Sequence, residues 1–224
     1  MERASSRAFG NSTVRDLAAS LRMAAYEASK RVLDLVISVT ALMLLSPVFL
    51  IAAIIVRLYD GGSVFFSHER VGKGGRVFRC YKFRSMVLHA ESLKSSIAEK
   101  NQHSDPRTFK IADDPRITPP GRILRRFSID ELPQIFNVIA GDMSIVGPRP
   151  PVPSEVSLYT DRDRQRLAVK PGLTCIWQVS GRSRLAFPQQ LSMDLDYIRR
   201  RNLALDLAII VKTVPAVITG DGAV

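Results

Sequence analysis

Cysteine is scarce in this chain, and its placement excludes two kinds of stabilisation. The 224 residues contain two cysteines, Cys80 and Cys175, which lie far apart and without CxxC spacing, and three histidines. A zinc site or a disulfide framework needs more such residues at closer spacing. Both cysteines are therefore predicted to be small buried thiols.

Signatures of nucleic-acid binding are also missing. The sequence has one tryptophan and no helix-turn-helix, zinc-finger or RNP-like pattern. The net charge of +11 still predicts an anionic partner, which could be nucleic acid, a phosphate-bearing small molecule or the acidic inner leaflet of a membrane. With 46% hydrophobic residues, the chain has enough apolar content for one folded domain with appendages.

Charge is almost absent from the stretch Val32 to Val56, where Asp34 is the single ionisable residue. The stretch exceeds the roughly 18 residues that mark a candidate membrane helix, so it is predicted to enter a bilayer. It is too long for the apolar region of a secretory signal, and no small-residue cleavage site directly follows Val56.

The dipeptide Ser46-Pro47 lies inside this apolar stretch. Proline removes a backbone donor and clashes with the preceding turn, so a helix must kink or break there, and the Ser46 hydroxyl could bond a freed carbonyl. Cations flank the stretch on both sides, which gives no simple positive-inside orientation. A re-entrant helix-break-helix and a kinked transmembrane helix are equally compatible with these residues.

The remaining sequence predicts a mixed α/β fold that is mainly helical. Residues 1–29 are predicted to form a mobile N-terminal lead, 30–59 the membrane segment, 60–202 the main domain, and 203–224 a segment that docks on protein or on the membrane surface. The predicted elements are a β-hairpin of Val64–Phe66 and Arg76–Phe83 around Gly72–Gly75, and helices over Met86–Lys100, from Ser128 or Asp130 to Ala140, and over Leu191–Arg201.

The adjacent acids Asp130 and Glu131 are the first candidate for chemistry. One carboxylate can attack an electrophilic phosphorus while its neighbour holds a divalent cation that neutralises phosphate charge. A structural interpretation competes with this one. Ser128 and Glu131 have capping-box spacing, and Asp130 could itself cap the following helix. From these residues alone, a capping role for such acids is more common than a catalytic one.

Basic residues near the acids favour a phosphate-bearing ligand. Arg125 precedes the pair, and Arg149 lies between two prolines that restrict its backbone, while Lys82 lies in the second hairpin strand and Arg84 directly follows it. Guanidinium groups match phosphate oxygens in geometry. The alternatives are a surface arginine in a proline-rich turn and a solvated, lipid-facing basic surface.

Several short motifs occur in order between Lys30 and about Gly220. They are Lys30-Arg31 with Asp34, Ser46-Pro47, Arg70-Val71-Gly72, residues 81–86 (YKFRSM), 113–118 (DDPRIT), 124–134 (LRRFSIDELPQ), 141–150 (GDMSIVGPRP), 170–174 (KPGLT) and 177–182 (WQVSGR). Each motif alone is weak, but the ordered set is specific. On this basis the chain resembles bacterial sugar transferases of the monotopic polyprenyl-phosphate phosphoglycosyl transferase family.

The resemblance implies transfer of a hexose-1-phosphate from a UDP-hexose to undecaprenyl phosphate, with release of UMP, as the first membrane step of exopolysaccharide or surface-glycan synthesis. It favours galactose or glucose as the hexose. It places 60–202 as a catalytic domain on the cytoplasmic face of the cytoplasmic membrane, in contact with membrane lipid, and leaves a homodimer open.

The resemblance also implies residue roles. Asp130 would be the nucleophile of a ping-pong mechanism and Glu131 a Mg²⁺ ligand, while Ser46 and Pro47 would form the re-entrant break. The substrate-binding residues would be Lys82, Arg84, Arg125, Arg149, Gln178 and Arg182.

Two positions depart from the family pattern. Ser85 stands where threonine is frequent, and it keeps the hydroxyl. Cys175 stands where glycine is usual, so a positive φ at that position would strain the backbone near Gln178 and Arg182.

Two other classes of protein are alternatives. A noncatalytic assembly factor of a polysaccharide complex would share the membrane anchor without needing Asp130. A membrane-bound nucleic-acid-binding protein would use the positive charge, but the missing signatures disfavour it.

Overall fold

A computed structural model describes residues 2–93, 96–97, 101, 105, 107, 111 and 113–220, with side chains from residue 16 onward except that of residue 183. The described residues are mainly helical, and the strands are short. The helices are α1 (Glu2–Leu44), α2 (Ser46–Asp60), α3 (Pro119–Arg126), α4 (Gln134–Ala140), α5 (Pro153–Val156), α6 (Asp161–Arg164), α7 (Phe187–Arg200) and α8 (Leu203–Thr219). The strands are β1 (Phe65–Val71), β2 (Val77–Phe83), β3 (Ser144–Val146) and β4 (Gly172–Thr174).

The apolar stretch is broken where the sequence predicts it. α1 ends at Leu44, α2 begins at Ser46, and the two axes differ by 62°. The Ser46 hydroxyl donates to the Met43 carbonyl at 2.9 Å, so it replaces part of the hydrogen bonding lost at the break. Among the described residues no single helix is long and apolar enough to cross a membrane, although the bent pair meets the same criteria together.

The N-terminal part of α1 runs without a break through residue 30. Helical backbone extends from Glu2 across the predicted boundary between the lead and the membrane segment. The division of the chain at residue 30 therefore does not coincide with a helix end, and it stays a prediction based on composition.

The predicted β-hairpin is confirmed. β1 pairs antiparallel with β2, from Phe65 opposite Phe83 to Val71 opposite Val77. The connection turns through Gly74 and Gly75, whose φ values of +68° and +84° favour glycine. β1 extends further toward this turn than the sequence predicts. Its exposed polar residues alternate only weakly with buried ones, so the sequence carries little strand signal there.

A second, parallel pairing joins β3 to β4, with Ser144 opposite Gly172 and Val146 opposite Thr174. The sequence analysis did not predict it. A Cβ on Gly172 would lie 2.1 Å from the backbone nitrogen of Gly147, so glycine is required for this close approach. The pairing brings the 170–174 segment against the loop that carries Arg149.

The helix predicted over Met86–Lys100 is wrong for its described part. Met86 forms an isolated bridge with Ile117, and residues 88–93 make turns. Residues 94, 95 and 98–100 lie outside the described part of the chain. The bridge and the backbone bond from Val87 to the Arg116 carbonyl satisfy polar groups that a helix would have paired internally.

Polar side chains of α1 hold it to the rest of the fold. Arg31 donates to the carbonyls of Val138 and Ile139 at the end of α4, at 2.6 and 2.8 Å. Asp34 accepts from the Ser144 hydroxyl and the Ile145 amide, both at 3.0 Å. These bonds, buried at Asp34 and partly buried at Arg31, fix α1 against α4 and β3, so the helix pair and the main domain have one defined arrangement.

The C-terminal helix α8 also docks on α1 through a buried carboxylate. Asp206, which is fully buried, accepts from Lys30 at 3.0 Å, from Tyr26 at 3.0 Å and from Tyr197 at 2.8 Å. The opposite face of α8 exposes large apolar side chains, and so does α1. These residues are Leu207, Val211, Val214 and Ile218 on α8, and Val32, Val36, Val39 and Met43 on α1.

Candidate active site

Asp130 and Glu131 lie in a short 3₁₀ turn, Ile129–Glu131, between α3 and α4. Ser128 has a left-handed backbone, with φ of +54°, and its side chain makes no capping hydrogen bond. The N-cap position of α4 is occupied by Pro133, so Asp130 does not cap that helix either. The structural interpretation of the two acids is therefore wrong, and their carboxylates are available for other contacts.

Glu131 is held by two cations from separate segments. Lys82 of β2 lies 2.6 Å from its Oε1, and an Arg149 guanidinium nitrogen lies 3.1 Å from the same atom. Burial opposes ionisation of this carboxylate, but the charges of Lys82 and Arg149 outweigh it and hold the pKa of Glu131 well below its usual range. The two cations therefore favour the ionised form of Glu131.

Asp130 is less well stabilised than its neighbour. It is 6% exposed, and its closest ion-pair partner, Lys82 Nζ, lies 3.9 Å from Oδ2, beyond hydrogen-bond distance. Burial raises its pKa above the ordinary value, and the Glu131 charge adds to this against the lowering effect of Lys82, Arg125 and Arg149. A buried, weakly paired carboxylate is more basic and more nucleophilic than a solvated one.

Asn137 places Lys82 beside the acids. It is 1% exposed on α4, its side-chain amide donates to the Arg79 carbonyl at 2.7 Å, and its Oδ1 accepts from the Tyr81 amide at 3.0 Å. These two bonds clamp α4 to the middle of β2. The sequence analysis missed this residue, although a polar side chain among apolar positions of a helix is a usable signal.

Arg70, which the sequence analysis names only within the motif Arg70-Val71-Gly72, is a further cation of the site. Its guanidinium donates to the Pro150 carbonyl at 2.9 Å, which joins the hairpin to the loop of Arg149. Burial lowers the pKa of Arg70, and the charge of Arg149 adds to the effect. Two guanidinium groups that repel each other across a site favour an anion between them.

Arg125 belongs to the same region, since it lies in the last turn of α3 and its charge lowers the pKa of Asp130. Arg84 has a different environment. It donates to both carboxylate oxygens of Asp60, at 2.6 and 2.5 Å, and to the Ser63 carbonyl at 2.6 Å. Arg84 thus ties the end of α2 to the hairpin, and its role in substrate binding stays a prediction.

Gln178 adjoins the Arg149 side of the site through Cys175. The Cys175 thiol donates to Gln178 Oε1 at 3.0 Å, and Cys175 lies within electrostatic range of Arg149. Burial raises the pKa of Cys175 well above its ordinary value, so it stays a neutral thiol. Both cysteines are free and buried, as predicted.

The backbone at Cys175 is not strained. Among the described non-glycine residues, positive φ occurs at His89, Ser128 and Arg182. The strain considered for Cys175 therefore does not arise, and the cysteine is accommodated where glycine is usual. Arg182 itself has φ of +51° in a 3₁₀ turn, Arg182–Arg184, and its place in substrate binding stays a prediction.

The two acids fit a magnesium ion that takes most of its ligands from elsewhere. Within the described ranges no three His, Cys, Asp or Glu side chains cluster as a protein metal cage. Mg²⁺ commonly uses one or two carboxylates together with water and substrate phosphates. Both cation contacts of Glu131 involve Oε1, so the carboxylate has a second oxygen to offer.

Comparison with known proteins identifies the family. Residues 25–220 match the bacterial sugar transferase family. The chain belongs to this family. Among its relatives, the exopolysaccharide production protein ExoY of Sinorhizobium fredii is 42% identical over 197 residues, which cover 87% of each chain. The sequence-based resemblance is thereby confirmed.

Two longer relatives have more specific names. The undecaprenyl-phosphate galactose phosphotransferase of Salmonella typhimurium is 43% identical over 202 residues, which cover 87% of this chain and 41% of that protein. The galactosyl transferase CpsE of Streptococcus agalactiae is 42% identical over 198 residues, which cover 87% of this chain and 43% of CpsE. The matched region of this bacterial sugar transferase therefore covers most of ExoY and less than half of each longer protein.

Proposed function

We propose that this sugar transferase moves a hexose-1-phosphate from a UDP-hexose to undecaprenyl phosphate and releases UMP. The carrying observation is the pair of buried carboxylates, with Glu131 neutralised by Lys82 and Arg149 and Asp130 left weakly paired. The names of two relatives support galactose as the first hexose to test.

The charge of the site suits the donor. Lys82, Arg70, Arg125 and Arg149 act on the two acids, so cations outnumber carboxylates. The dianionic diphosphate of a UDP-hexose would restore the balance, and guanidinium groups bind phosphate oxygens with matched geometry.

The reaction has two displacements at one phosphorus atom. A carboxylate oxygen of Asp130 attacks the phosphorus that carries the hexose, the bond from that phosphorus to the bridging oxygen breaks, and UMP leaves with the electron pair. A phosphate oxygen of undecaprenyl phosphate then attacks the same phosphorus and displaces Asp130, which regains its carboxylate. The arginines and Lys82 offset the negative charge that develops at each displacement.

A magnesium ion would be held by Glu131 and would supply further neutralisation of the donor diphosphate. Glu131 suits this role because its low pKa keeps it ionised. Lys82 and Arg149 orient the Glu131 carboxylate toward the site whether or not the ion is bound.

The bent pair of α1 and α2 suits insertion into one leaflet. The 62° break at Ser46-Pro47 and the exposed apolar residues of α1 support a re-entrant segment with both ends on the cytoplasmic face. This arrangement would place Asp130 near the headgroups, where the phosphate of the acceptor lies. Tags at the N-terminus and after Gly220 are expected to report the same side of the membrane, and opposite sides would refute the re-entrant topology.

Release of UMP tests the proposed reaction. Purified protein is incubated with Mg²⁺, undecaprenyl phosphate and each of a panel of UDP-hexoses, and UMP and the lipid product are measured. We expect equal amounts of UMP and undecaprenyl-diphosphate-hexose with one preferred donor. Full support of polysaccharide synthesis by Asp130→Asn in cells would instead indicate the noncatalytic assembly role.

A further inference from the structure

A second polar site lies between α1, β3 and α7. It is a cleft of about 40 Å³, called here the α1 cleft. None of the residues assigned to the active site lines it. Its charged lining consists of four basic and two acidic residues, namely Lys30, Arg31, Lys170, Arg201, Glu27 and Asp34.

Two of the basic residues in the α1 cleft face carboxylates. Lys30 is paired with the buried Asp206 at 3.0 Å. Arg201 Nε lies 3.7 Å from Glu27 Oε1, too far for a hydrogen bond, and this buried nitrogen has no hydrogen-bond acceptor among the described residues. A buried guanidinium nitrogen without an acceptor is uncommon in folded proteins, and it favours a missing anionic partner.

The other two basic residues lack acidic partners. Within the described part of the chain, neither Arg31 nor Lys170 has a carboxylate oxygen within 4.0 Å, and Arg31 bonds only backbone carbonyls. Arg31 and Lys170 each place a nitrogen 3.6 Å from the point where a Cβ on Gly141 would stand. Two cationic groups therefore face one gap that the glycine leaves open.

The charges around the α1 cleft do not cancel. Four cations meet three carboxylates when Asp206, the partner of Lys30, is counted with the two that line the cleft. The excess equals the charge of one phosphodiester. Phosphate oxygens also suit the donor geometry of an arginine–lysine pair, because each charged donor can take a separate oxygen.

We propose that the α1 cleft binds one phosphate group, held by Arg31, Lys170 and Arg201, and that its source is the headgroup of an anionic phospholipid. The nearly uncharged stretch of α1 begins at Val32, the residue after Arg31. The cleft thus lies at the level where α1 passes from polar to apolar surroundings, which is where headgroup phosphates would meet it. This inference rests on the membrane position in the proposed function.

The test counts retained lipids. The full chain is placed in nanodiscs of phosphatidylcholine with a minority of phosphatidylglycerol. The protein is then released from the nanodiscs, and native mass spectrometry measures its mass together with any retained lipid. We expect one retained phosphatidylglycerol in the wild type and a loss of about fivefold for Lys170→Gln. Lys170→Arg should retain the lipid. Lys73→Gln removes the same charge from the exposed hairpin turn and should leave retention unchanged.

A second measurement separates the two sources of phosphate. Inorganic phosphate is titrated into the detergent-solubilised protein and into Lys170→Gln. Phosphate binding that requires Lys170, without retention of phosphatidylglycerol, would overturn the lipid source and assign the cleft to a soluble phosphate. Equal retention in Lys170→Gln and wild type, or an equal loss in Lys73→Gln, would overturn the site itself.

Folding and activity are measured on the same preparations. If Lys170→Gln fails to fold, Arg201→Gln carries the same expectation. UMP release distinguishes the two proposals, because a chain that retains phosphatidylglycerol through Lys170 and never releases UMP would refute the transferase reaction and leave the α1 cleft standing. A chain that releases UMP and retains no phosphate-bearing ligand would refute the phosphate site in the α1 cleft and leave the transferase reaction standing.

Discussion

Asp206 and Asp130 are both buried carboxylates, and their surroundings differ in a way that separates structure from chemistry. Asp206 accepts hydrogen bonds from Lys30, Tyr26 and Tyr197, all within 3.0 Å. Within the described part of the chain, Asp130 has Lys82 as its one ion-pair partner, at 3.9 Å. A fully satisfied carboxylate stabilises the fold, whereas an incompletely satisfied one remains basic and free to react. The fold thus uses one acid to hold α8 on α1 and leaves the other weakly paired.

The largest effect is expected from a substitution of Asp130, the weakly paired acid of this comparison. Asp130→Asn removes the attacking oxygen with little change in volume, so UMP release should fall by at least about 10³-fold. The free energy of unfolding should stay the same or rise, because the burial of a charge is relieved. Activity and chemical denaturation measured on one preparation check both parts. Asp196→Asn, an exposed acid on α7, makes the same chemical change as a control.

Activity close to wild type in Asp130→Asn would contradict the assignment of Asp130 as nucleophile. A loss of activity accompanied by unfolding would mean that Asp130 resembles Asp206 in being structural.

The next largest effect concerns Lys82. Lys82→Gln removes a cation that lowers the pKa of Asp130, so that pKa should rise further, and UMP release at neutral pH should fall by about 10²-fold. Because Asp130 must be ionised to attack, activity is lost as pH falls through its pKa. The acid limb of the pH–rate profile should therefore move to higher pH. Lys73→Gln removes the same charge from an exposed turn and should leave the profile unchanged.

Glu131→Gln gives the opposite shift in the same profile. The negative charge of Glu131 raises the pKa of Asp130, so its removal should move the acid limb to lower pH, although the maximal rate also falls. Opposite shifts in the two variants are expected if the acids are electrostatically coupled. Shifts in the same direction would show that the acid limb reports another group.

Asp206→Asn tests the other acid of the comparison, the one assigned to the fold. Loss of this charge leaves Lys30 buried without its partner, so the free energy of unfolding should fall by about 3–5 kcal/mol. The folded fraction should still release UMP, since Asp130 is untouched. Asp196→Asn breaks an exposed ion pair instead and should cost about 1 kcal/mol or less. An Asp206 variant with full stability would mean that the buried bonds do not hold α8.

The smallest effect is expected at Cys175. Its backbone has no positive φ and its thiol bonds Gln178, so Cys175→Gly should lower the free energy of unfolding by about 1 kcal/mol through backbone entropy. Cys175→Ser keeps a donor and should preserve the contact with Gln178. A rise in stability for the glycine variant would show that the cysteine is strained.

Features set by neighbouring residues could be predicted from the sequence. The break at Ser46-Pro47 follows from the chemistry of proline, and the hairpin follows from the glycines between two apolar segments. The sequence singles out Asp130 and Glu131, but these residues alone favour a helix cap, and the left-handed backbone of Ser128 argues against that cap.

Features set by distant residues could not be predicted. Lys30 and Asp206 are separated by 176 positions, and the parallel pairing of β3 with β4 involves strands too short to have a periodic pattern. The pairing of Arg84 with Asp60 likewise has no local sequence signal. Through this pairing a basic residue next to the hairpin stabilises the fold. The contacts of Asn137 depend on the packing of α4 against β2, which only the folded chain defines.

The most direct measurement concerns the covalent bond to Asp130. Purified protein is incubated with Mg²⁺ and a UDP-hexose in the absence of undecaprenyl phosphate, digested, and analysed by mass spectrometry. The proposed mechanism predicts that the peptide containing Asp130 gains the mass of a hexose phosphate, that one UMP is released for each modified chain, and that added undecaprenyl phosphate removes the modification. An unmodified peptide in a preparation that turns over rapidly once the acceptor is added would contradict it.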